Sequence, residues 1–477
     1  MKEASDSATF LKLFKSAFQH KPNVEQEQLM KALTDFVFDS SSHSCFILKG
    51  YAGTGKTSLL GALIKSARLI KQKTVLLAPT GRAAKVLSQR SSTLATTIHK
   101  RIYFTDNSPD GAMKLKLAQN KSKDTLFIID EASMIGDYSL QPDGSISRNI
   151  LEDVFQYVYT GERCKLILLG DEGQLPPVGM EQSPALNLAY LEHHFPVVNF
   201  TVFGLLIVER QQGNSGILEN ATRIREAQRN GKHPRIDLEK FSDVKAIAGD
   251  ELIEKIESAY SEKGQDEVMI VTRSNKRANL YNMHIRNRIL YMEEELCGGD
   301  VLMVVKNNYF WLDPLCQAGF IANGDMLKVH RIRKTETMYG ARFATIEVSM
   351  VDYPELERFE SIVFLETLSV EEPHLSRERL KALFFEIEKD FTHIQNKQKR
   401  YAEIMKSPYF NALQVKYAYA ITCHKSQGGQ WNTVFVDHGF LGNEKQDLSF
   451  YRWLYTAFTR ASEQLYAVNL LPELIAD

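Results

Sequence analysis

The sequence predicts an α/β protein with two parallel β-sheets, each covered by helices, and a smaller β-rich insertion in the second. Three observations indicate this. Short apolar runs alternate with helical stretches through residue 200, the alternation resumes after residue 201, and residues 298–410 change to shorter strand-like runs. Continuous apolar runs separated by helices are typical of parallel strands buried on both faces. At 477 residues the chain also exceeds a single core, since one domain takes about 150 residues.

The first predicted unit spans residues 1–200. Its four apolar runs each stop at Gly, Pro or Asp and are predicted as strands at 45–49, 74–78, 125–129 and 165–169. Residues 102–122 interrupt this pattern with Tyr103 and Phe104, a turn-rich segment and a second alternating run. That order predicts a small β-hairpin insertion. The sequence leaves open whether Tyr103 and Phe104 stack on a base or pack against their own sheet.

The second predicted unit is discontinuous, covering 201–297 and 411–477, with strands at 267–271, 433–436 and 464–468. The intervening residues 298–410 are predicted as an inserted β domain that ends in one long helix over 376–406. Apolar residues recur along that helix at heptad-like spacing. The pattern favours a stripe packed against its own domain over a self-associating coiled coil, because the seam is short.

Charge is unevenly distributed along the chain. The formal net charge is −1, yet residues 40–105 contain no Asp or Glu and eleven Lys or Arg. This asymmetry predicts a face that binds anions. A second acid-free segment, 273–288, has five basic residues and is interpreted either as a second anion-binding patch or as a solvated helix face.

Composition excludes several classes of protein. The hydrophobic fraction of 44% and charged fraction of 25% are ordinary for a globular chain and exclude a disordered one. The five cysteines are scattered without a CxxC pair, which argues against a disulfide framework or a zinc site. No signal pattern opens the sequence, and no apolar run reaches the ~18 residues of a bilayer span. We therefore expect a cytoplasmic protein, and we expect a monomer.

A phosphate-binding loop follows the first predicted strand. The segment GYAGTGKT at 50–57 fits GxxxxGK[ST] and precedes a predicted helix at 58–70. In this motif the loop backbone and the helix N-terminus point N–H groups at phosphate oxygens. The lysine reaches the β- and γ-phosphates, and the last hydroxyl binds Mg²⁺. The predicted ATP-binding residues of this segment are Gly50, Ala52, Gly53, Thr54, Gly55, Lys56, Thr57 and Ser58.

Two further strand ends carry polar groups that complement this loop. Asp130 and Glu131 follow the strand at 125–129, so that Asp130 is predicted to bind the metal and Glu131 to activate the attacking water. Gln174 lies in the proline-stiffened loop after the strand at 165–169 and is a candidate to sense the γ-phosphate or to orient water. Arg210 and Arg460 are candidate cationic groups for the developing phosphoryl charge, although a single arginine is ordinarily a surface ion-pair partner.

Nine ordered segments resemble superfamily-1 helicases of the RecD- and Dda-like group. They are NVEQ (23–26), GYAGTGKT (50–57), APTGRAA (78–84), TIH (97–99), IIDEAS (128–133), GDEGQLPPV (170–178), VERQ (208–211), AITCHKSQG (420–428) and LYTAFTRA (454–461). The resemblance implies two RecA-like P-loop domains with ATP in the cleft between them and DNA across both. It also implies a hairpin pin inserted in the first domain and an SH3-like insertion in the second.

The resemblance also implies roles for single residues. Gln26 would read adenine, and Arg210 and Arg460 would be arginine fingers. A further set would hold the nucleic-acid backbone or couple it to the ATP cleft, namely Thr80, Arg82, His99, Thr422, His424 and Gln427.

The implied activity is an ATP- and Mg²⁺-dependent DNA helicase that moves 5′→3′ along single-stranded DNA and opens duplexes at single-strand/double-strand junctions, in replication, repair or recombination. Replication or recombination proteins would be its partners. Two alternatives stay open. One is a translocase without strand separation, and the other is a subunit of a recombination nuclease that depends on its partners.

Overall fold

The computed structural model describes residues 6–107, 113–137, 139–140, 146–147, 149–208, 215–313, 316, 318–372, 374–439 and 446–476. The first half of the chain contains seven helices and ten strands within those ranges. In chain order they are α1 (Ser7–Ala17), α2 (Val24–Phe38), β1 (Ser44–Gly50), α3 (Lys56–Leu69), β2 (Lys73–Ala78), α4 (Gly81–Ser91), β3 (Ala95–Thr97), α5 (Ile98–Ile102), β4 (Tyr103–Asn107), β5 (Met113–Leu117), β6 (Thr125–Ile129), β7 (Ser139–Leu140), β8 (Ile146–Ser147), α6 (Ile150–Thr160), β9 (Lys165–Gly170), α7 (Leu188–His194) and β10 (Asn199–Leu205).

Six of these strands form one parallel sheet in the order β10-β1-β9-β6-β2-β3. The four strands predicted from apolar runs are all present. Helices α1 to α4 bury one face of the sheet and α5 to α7 the other, as continuous apolar runs require. Because β1, β9 and β6 are parallel neighbours, the loops that follow them meet at one edge of the sheet.

The boundary predicted at residue 200 is wrong by one strand. Strand β10 pairs in parallel with β1 from Ser44↔Asn199 to Gly50↔Leu205, so the first sheet extends to Leu205. β10 is an edge strand, and most of its residues are exposed or half-buried. Because β10 lacks the continuous apolar run of a central strand, the sequence did not indicate that it belongs to the first sheet.

The second half of the chain contains seven helices and ten strands within the described ranges. They are α8 (Gly216–Asn230), β11 (Val244–Ile247), α9 (Leu252–Lys263), β12 (Val268–Thr272), α10 (Asn275–His284), β13 (Val301–Val304), β14 (Met326–Met338), β15 (Ala341–Met350), β16 (Phe359–Phe364), α11 (Arg377–Glu388), α12 (Lys397–Met405), β17 (Leu413–Tyr417), β18 (Ala420–Thr422), α13 (Cys423–Ser426), β19 (Trp431–Asp437), α14 (Leu448–Phe458) and β20 (Ala461–Val468).

A second parallel sheet has the order β11-β20-β19-β12-β18, and strands β13 to β17 close into a barrel. The barrel is inserted in the chain between α10 and β18, within the second sheet. Its neighbouring strands are antiparallel except β16 and β17. We call the part built on the first sheet the first unit, and the part built on the second sheet the second unit. Both sheets are parallel, which confirms the mixed α/β class.

The single helix predicted over 376–406 is wrong. The structure has two helices, α11 and α12, which face each other through Phe384 and Tyr401, whose ring centroids are 5.7 Å apart. The side chain of Asn396 accepts hydrogen bonds from the backbone N–H groups of Gln398 and Lys399 and so starts α12. An N-cap of this kind competes with helix continuation. The apolar stripe packs within its own domain, in a cluster with barrel residues such as Phe343.

In the part of the chain that the structure describes, no helix combines the length and the apolar character needed to cross a lipid bilayer.

Candidate functional site

The phosphate-binding loop lies between β1 and α3. Gly53 and Gly55 have φ values of +77° and +84°, in the left-handed region that favours glycine. No side chain caps the N-terminus of α3, so its first N–H groups are available to an anion. Lys56 Nζ donates to the carbonyl oxygens of Gly50 at 2.6 Å and Tyr51 at 2.8 Å. The loop therefore has the backbone form and the cation that phosphate binding requires.

Gln26 supports this loop from α2. Its Nε2 donates to Thr54 O at 3.2 Å, while its Oε1 accepts from the Asn23 backbone N–H in a capping box. A Cβ added at Gly55 would lie 2.7 Å from Gln26 Nε2, so the glycine is needed for close approach as well as for its φ. Both ends of the amide thus have protein partners. The role of Gln26 in reading adenine stays a prediction.

Asp130 and Glu131 follow β6 at the edge where the phosphate-binding loop lies. Asp130 Oδ1 accepts from the Glu131 backbone N–H at 2.9 Å. Glu131 has φ +53°, and a non-glycine residue held in this region is strained, as is common at functional sites. Burial raises the pKa of Asp130. Burial and the nearby Asp130 carboxylate raise the pKa of Glu131, while the charges of Arg460 and Lys56 lower it. A carboxylate with a raised pKa suits a general base.

The loop 171–177 follows β9, beside these acids. Asp171 Oδ1 accepts from Gly173 N at 2.9 Å and shapes its start. Gln174 is only 7% exposed, and among the described residues its Oε1 has no hydrogen-bond partner. It lines a cavity of about 490 Å³ together with Lys49 and Asp171. A buried acceptor without a partner costs free energy, so it fits a group that must orient a water or ligand donor.

Arg460 lies in the second unit, two residues after the end of α14. Its guanidinium donates to Thr456 O, Gly429 O and Thr459 Oγ1 at 3.0, 3.0 and 3.1 Å, and the residue is 4% exposed. Its charge lowers the pKa of Glu131. The three hydrogen bonds fix the orientation of the side chain. Arg210, the other predicted finger, lies outside the described residues.

Backbone and side-chain contacts from the second unit hold the loop 171–177. Leu175 N donates to Thr456 Oγ1 at 2.8 Å, and Gln427 Nε2 donates to Leu175 O at 2.7 Å. Gln228 of α8 donates to Gly173 O at 3.0 Å. The loop that carries Gln174 is thus bound both by α14 and by the segment 420–428, which the sequence assigns to nucleic acid. The resemblance implied that Gln427 either holds the nucleic-acid backbone or couples it to the ATP cleft. Its hydrogen bond to Leu175 O is the kind of contact that the coupling role needs.

Besides Gln427, two more of the predicted nucleic-acid residues make contacts between units. The Arg82 guanidinium lies 4.1 Å from the Trp431 ring centroid and donates to Gln430 O at 3.4 Å. His99 packs between Tyr103 and Phe320, with ring centroids 5.6 and 6.3 Å away. Burial lowers the pKa of His99 to about 4, so the ring is neutral at physiological pH. His99 is accordingly a packing and hydrogen-bonding group rather than a cation.

The other three lie at helix starts. Thr80 is the N-cap of α4, where its Oγ1 accepts from Ala83 N at 3.2 Å. Thr422 is the N-cap of α13 and makes no side-chain capping bond there. His424 follows within α13, and burial lowers its pKa. Nucleic-acid contact by these residues stays a prediction.

The structure resolves the question about the hairpin aromatics. Tyr103 is buried, and its hydroxyl donates to Asp153 Oδ2 at 2.6 Å, so it packs against its own unit. Phe104, the next residue of β4, is 48% exposed. Only Phe104 of the two is therefore available to a base.

In the acid-free segment 273–288, three of the five basic residues pair with carboxylates of the chain itself, which argues against a free anion-binding patch. Arg286 is buried in an ion pair with Asp300 at 2.8 Å, and Arg277 pairs with Asp437 at 2.7 Å. Both acids lie outside the segment, and Asp437 is distant in sequence, so the pairing had no signal within the segment itself. Lys276 also pairs with an acid, Glu371, at 3.7 Å.

Two residues with contacts to distant segments escaped the sequence interpretation. Glu25 Oε2 accepts from Leu206 N and Ile207 N at 2.8 and 2.9 Å, and so holds the residues that directly follow β10. Arg225 of α8 lies 4.5 Å from the ring centroid of Tyr51 in the phosphate-binding loop. Glu25 lies in the recognised segment 23–26 and Arg225 lies outside all nine segments, and the partners of both are distant in sequence.

Two family models match the chain. The model of the AAA domain matches residues 21–230, and the model of the UvrD-like helicase C-terminal domain matches residues 417–468. The first range contains the phosphate-binding loop, both acids and the loop 171–177. The second contains the segment 420–428 and Arg460.

Three relatives share sequence with the chain. An uncharacterized protein of Acanthamoeba polyphaga mimivirus is 24% identical over 520 residues, covering 93% of this chain and 99% of that protein. The ATP-dependent DNA helicase dda of Enterobacteria phage T4 is 25% identical over 307 residues, covering 62% of this chain and 64% of Dda. The ATP-dependent RecD2 DNA helicase of Deinococcus radiodurans is 29% identical over 181 residues, covering 38% and 22%. The chain thus spans less than two thirds of either helicase.

Two solved structures align along most of the chain. Pif1 helicase from Bacteroides, in complex with ADP-AlF3 and ssDNA, covers 96% of this chain and 95% of its own, with a TM-score of 0.48 and 16% identity. Pif1 helicase from Candida albicans covers 96% and 97%, with a TM-score of 0.42 and 15% identity. The two family models, matched in this order, and the similarity to Dda and RecD2 agree with the resemblance to superfamily-1 helicases of the RecD- and Dda-like group.

Proposed function

We propose that this protein is an ATP-dependent DNA helicase that moves 5′→3′ along single-stranded DNA and separates strands at single-strand/double-strand junctions. One observation carries the proposal most directly. The loop 171–177, which carries Gln174, is bound by Gln427 of the segment 420–428 and by Thr456 of α14. A change at the proposed ATP site or in the segment 420–428 would therefore move the loop 171–177, which contacts both. DNA as substrate is supported by the names of Dda and RecD2, and the direction rests on the family resemblance.

Each residue at the proposed ATP site is assigned a separate role in ATP hydrolysis. Lys56 and the N–H groups at the start of α3 would bind the phosphates. Glu131 would take the proton of the attacking water, Gln174 would orient that water, and Arg460 would stabilise the developing charge. The oxygen donors of Thr57 and Asp130 suit Mg²⁺, which prefers such ligands and would neutralise phosphate charge when bound. Arg210 is proposed as the second finger.

We assign the domains as follows. The first unit, with its hairpin β4–β5, is the first RecA-like domain, and the hairpin is the pin that divides the strands. The second unit is the other RecA-like domain, with the barrel β13–β17 as an SH3-like insertion. Single-stranded DNA would run over Thr80 and His99 of the first unit and over Thr422 and His424 of the second. Backbone contacts of this kind are tolerant of sequence.

Strand separation tests the proposal. Duplexes with a 5′ tail or a 3′ tail, in DNA and in RNA, are mixed with the protein, ATP and Mg²⁺, and released strand is measured. We expect the 5′-tailed DNA duplex to open and the ATP-free reaction to be inactive. Opening of the 3′-tailed duplex alone would contradict the direction, and preference for RNA would contradict the substrate.

A second candidate is a translocase subunit of a recombination nuclease that does not unwind alone. The distribution of contacts favours the helicase, because one chain holds the ATP site, both units and the coupling loop. The two candidates differ in a simple assay. ATP hydrolysis stimulated by single-stranded DNA, without release of strand from any tailed duplex, would support the subunit.

A further inference from the structure

A tyrosine of the second unit bonds to two loops of the first. The Tyr455 hydroxyl accepts a hydrogen bond from Ala52 N in the phosphate-binding loop at 2.8 Å and donates one to Asp171 Oδ2 at 2.8 Å. Tyr455 is 1% exposed. Burial and the Asp171 carboxylate raise the pKa of Tyr455 well above its ordinary value, so the hydroxyl keeps its proton and serves as a donor. One buried oxygen thus joins three segments that are distant in sequence.

The packing around this hydroxyl is close. A Cβ added at Gly173 would lie 3.1 Å from Cε1 of the Tyr455 ring and 3.2 Å from Asp171 Oδ1. The backbone of loop 171–177 therefore lies directly against the ring, and Asp171 also accepts from Gly173 N. Because protein interiors are close-packed, a shift of the ring would displace the loop, and a shift of the loop would displace the ring.

Tyr455 also lies on the helix that ends just before Arg460. Tyr455 O accepts from Thr459 Oγ1 at 2.9 Å, and Thr459 Oγ1 in turn accepts from Arg460 Nη2 at 3.1 Å. The hydroxyl thus fixes the phosphate-binding loop and the loop 171–177 against α14, the helix that directly precedes the segment containing Arg460. Precise placement of this kind matters for rate, since a small error in the position of a catalytic group costs orders of magnitude.

We infer that Tyr455 is a positioning residue for ATP hydrolysis. Its hydroxyl holds the phosphate-binding loop and the loop 171–177 in fixed positions relative to Arg460. The inference rests on the proposed function, because it assumes that these three elements act together on ATP. Tyr455 itself contacts no reacting atom. Loss of the hydroxyl should therefore lower kcat and leave ATP binding nearly unchanged.

Tyr455→Phe tests this, because it removes one oxygen and keeps the ring. Tyr451→Phe is the matched control. Tyr451 lies one turn earlier on α14, is 4% exposed, and bonds through its hydroxyl to His233 of its own unit at 2.8 Å. Tyr455→Phe removes both hydrogen bonds of the hydroxyl, and we expect kcat for DNA-stimulated hydrolysis to fall about tenfold or more. The Kd of a fluorescent ATP analogue should stay within about twofold, and Tyr451→Phe should match wild type in both.

Three results would overturn the inference. The first is an unchanged kcat in Tyr455→Phe, and the second is a raised Kd for the ATP analogue with kcat intact. The third is an equal loss of kcat in both variants together with an equal fall in Tm, which would indicate only general loosening of α14.

A second measurement does not depend on activity. Hydrogen exchange of the full chain should accelerate in peptides that cover 50–57 and 171–177 for Tyr455→Phe, and in neither for Tyr451→Phe. Unchanged exchange at both loops would contradict the positioning role. A wild-type protein that hydrolyses ATP without stimulation by DNA would instead contradict the proposed function, and the two variants would then be compared on unstimulated kcat.

Discussion

Gln427→Met tests whether the nucleic-acid segment controls the ATP cleft through the loop 171–177. Methionine keeps the length of the side chain and removes the donor that Leu175 O accepts at 2.7 Å. Gln427 is 5% exposed and Leu175 4%, so water cannot readily replace that bond. A buried carbonyl left without a partner costs about 1–3 kcal/mol. If that free energy is part of the coupling between sites, stimulation by DNA should fall about 5- to 150-fold.

The assay is ATP hydrolysis as a function of the concentration of single-stranded DNA, with DNA affinity measured separately by fluorescence anisotropy. We expect the maximal stimulation to fall by about tenfold or more, with unstimulated kcat and the Kd for DNA within about threefold of wild type. Gln414→Met is the control, since Gln414 is an equally buried glutamine in the barrel, where it accepts from Leu375 N at 2.9 Å. A Kd that rises in step with the loss of stimulation would refute coupling and indicate that Gln427 grips the strand directly. Unchanged stimulation would refute both roles.

The remaining predictions concern the chemistry at the cleft. Lys56→Ala should abolish ATP turnover while DNA binding measured by anisotropy persists, because Lys56 bonds within the phosphate-binding loop; loss of DNA binding would contradict that placement. Glu131→Gln should bind a fluorescent ATP analogue normally and hydrolyse ATP at least about a hundredfold more slowly, so near-normal turnover would remove Glu131 as the base. Arg460→Ala should lower kcat about a hundredfold or more with a smaller change in ATP affinity; affinity lost alone would point to a binding role.

Local chemistry explains what the sequence predicted well. The phosphate-binding loop is encoded by consecutive residues, so its glycines and Lys56 identify both its backbone and its function. The same holds for Asp130 and Glu131, which follow directly from the end of a buried strand. These features need no knowledge of distant contacts.

Contacts between distant segments explain what the sequence could not predict. Tyr455 lies in a recognised segment, but its bonds to Ala52 and Asp171 cross 403 and 284 residues. Arg82 was predicted to contact nucleic acid, and the ring against which it packs, Trp431, is also far from it in sequence. Pairing of this kind is set by the packing of one unit against the other, which periodicity and motif spacing do not contain.

Competition between local structures explains the error over 376–406. The apolar spacing continues through the segment, so periodicity favours one helix. Asn396 instead accepts the backbone N–H groups of Gln398 and Lys399 and begins α12. The side-chain cap and the packing of Phe384 against Tyr401 together favour two shorter helices.

Directed movement on single-stranded DNA is the central claim, and displacement of streptavidin from biotinylated oligonucleotides measures it most directly. The protein, ATP and Mg²⁺ are mixed with single strands that carry streptavidin at the 3′ end or at the 5′ end, with free biotin as a trap. A protein moving 5′→3′ should displace streptavidin from the 3′ end, only with ATP, and Glu131→Gln should not. Displacement from the 5′ end alone would contradict the direction, and no displacement from either end while DNA stimulates ATP hydrolysis would contradict translocation itself.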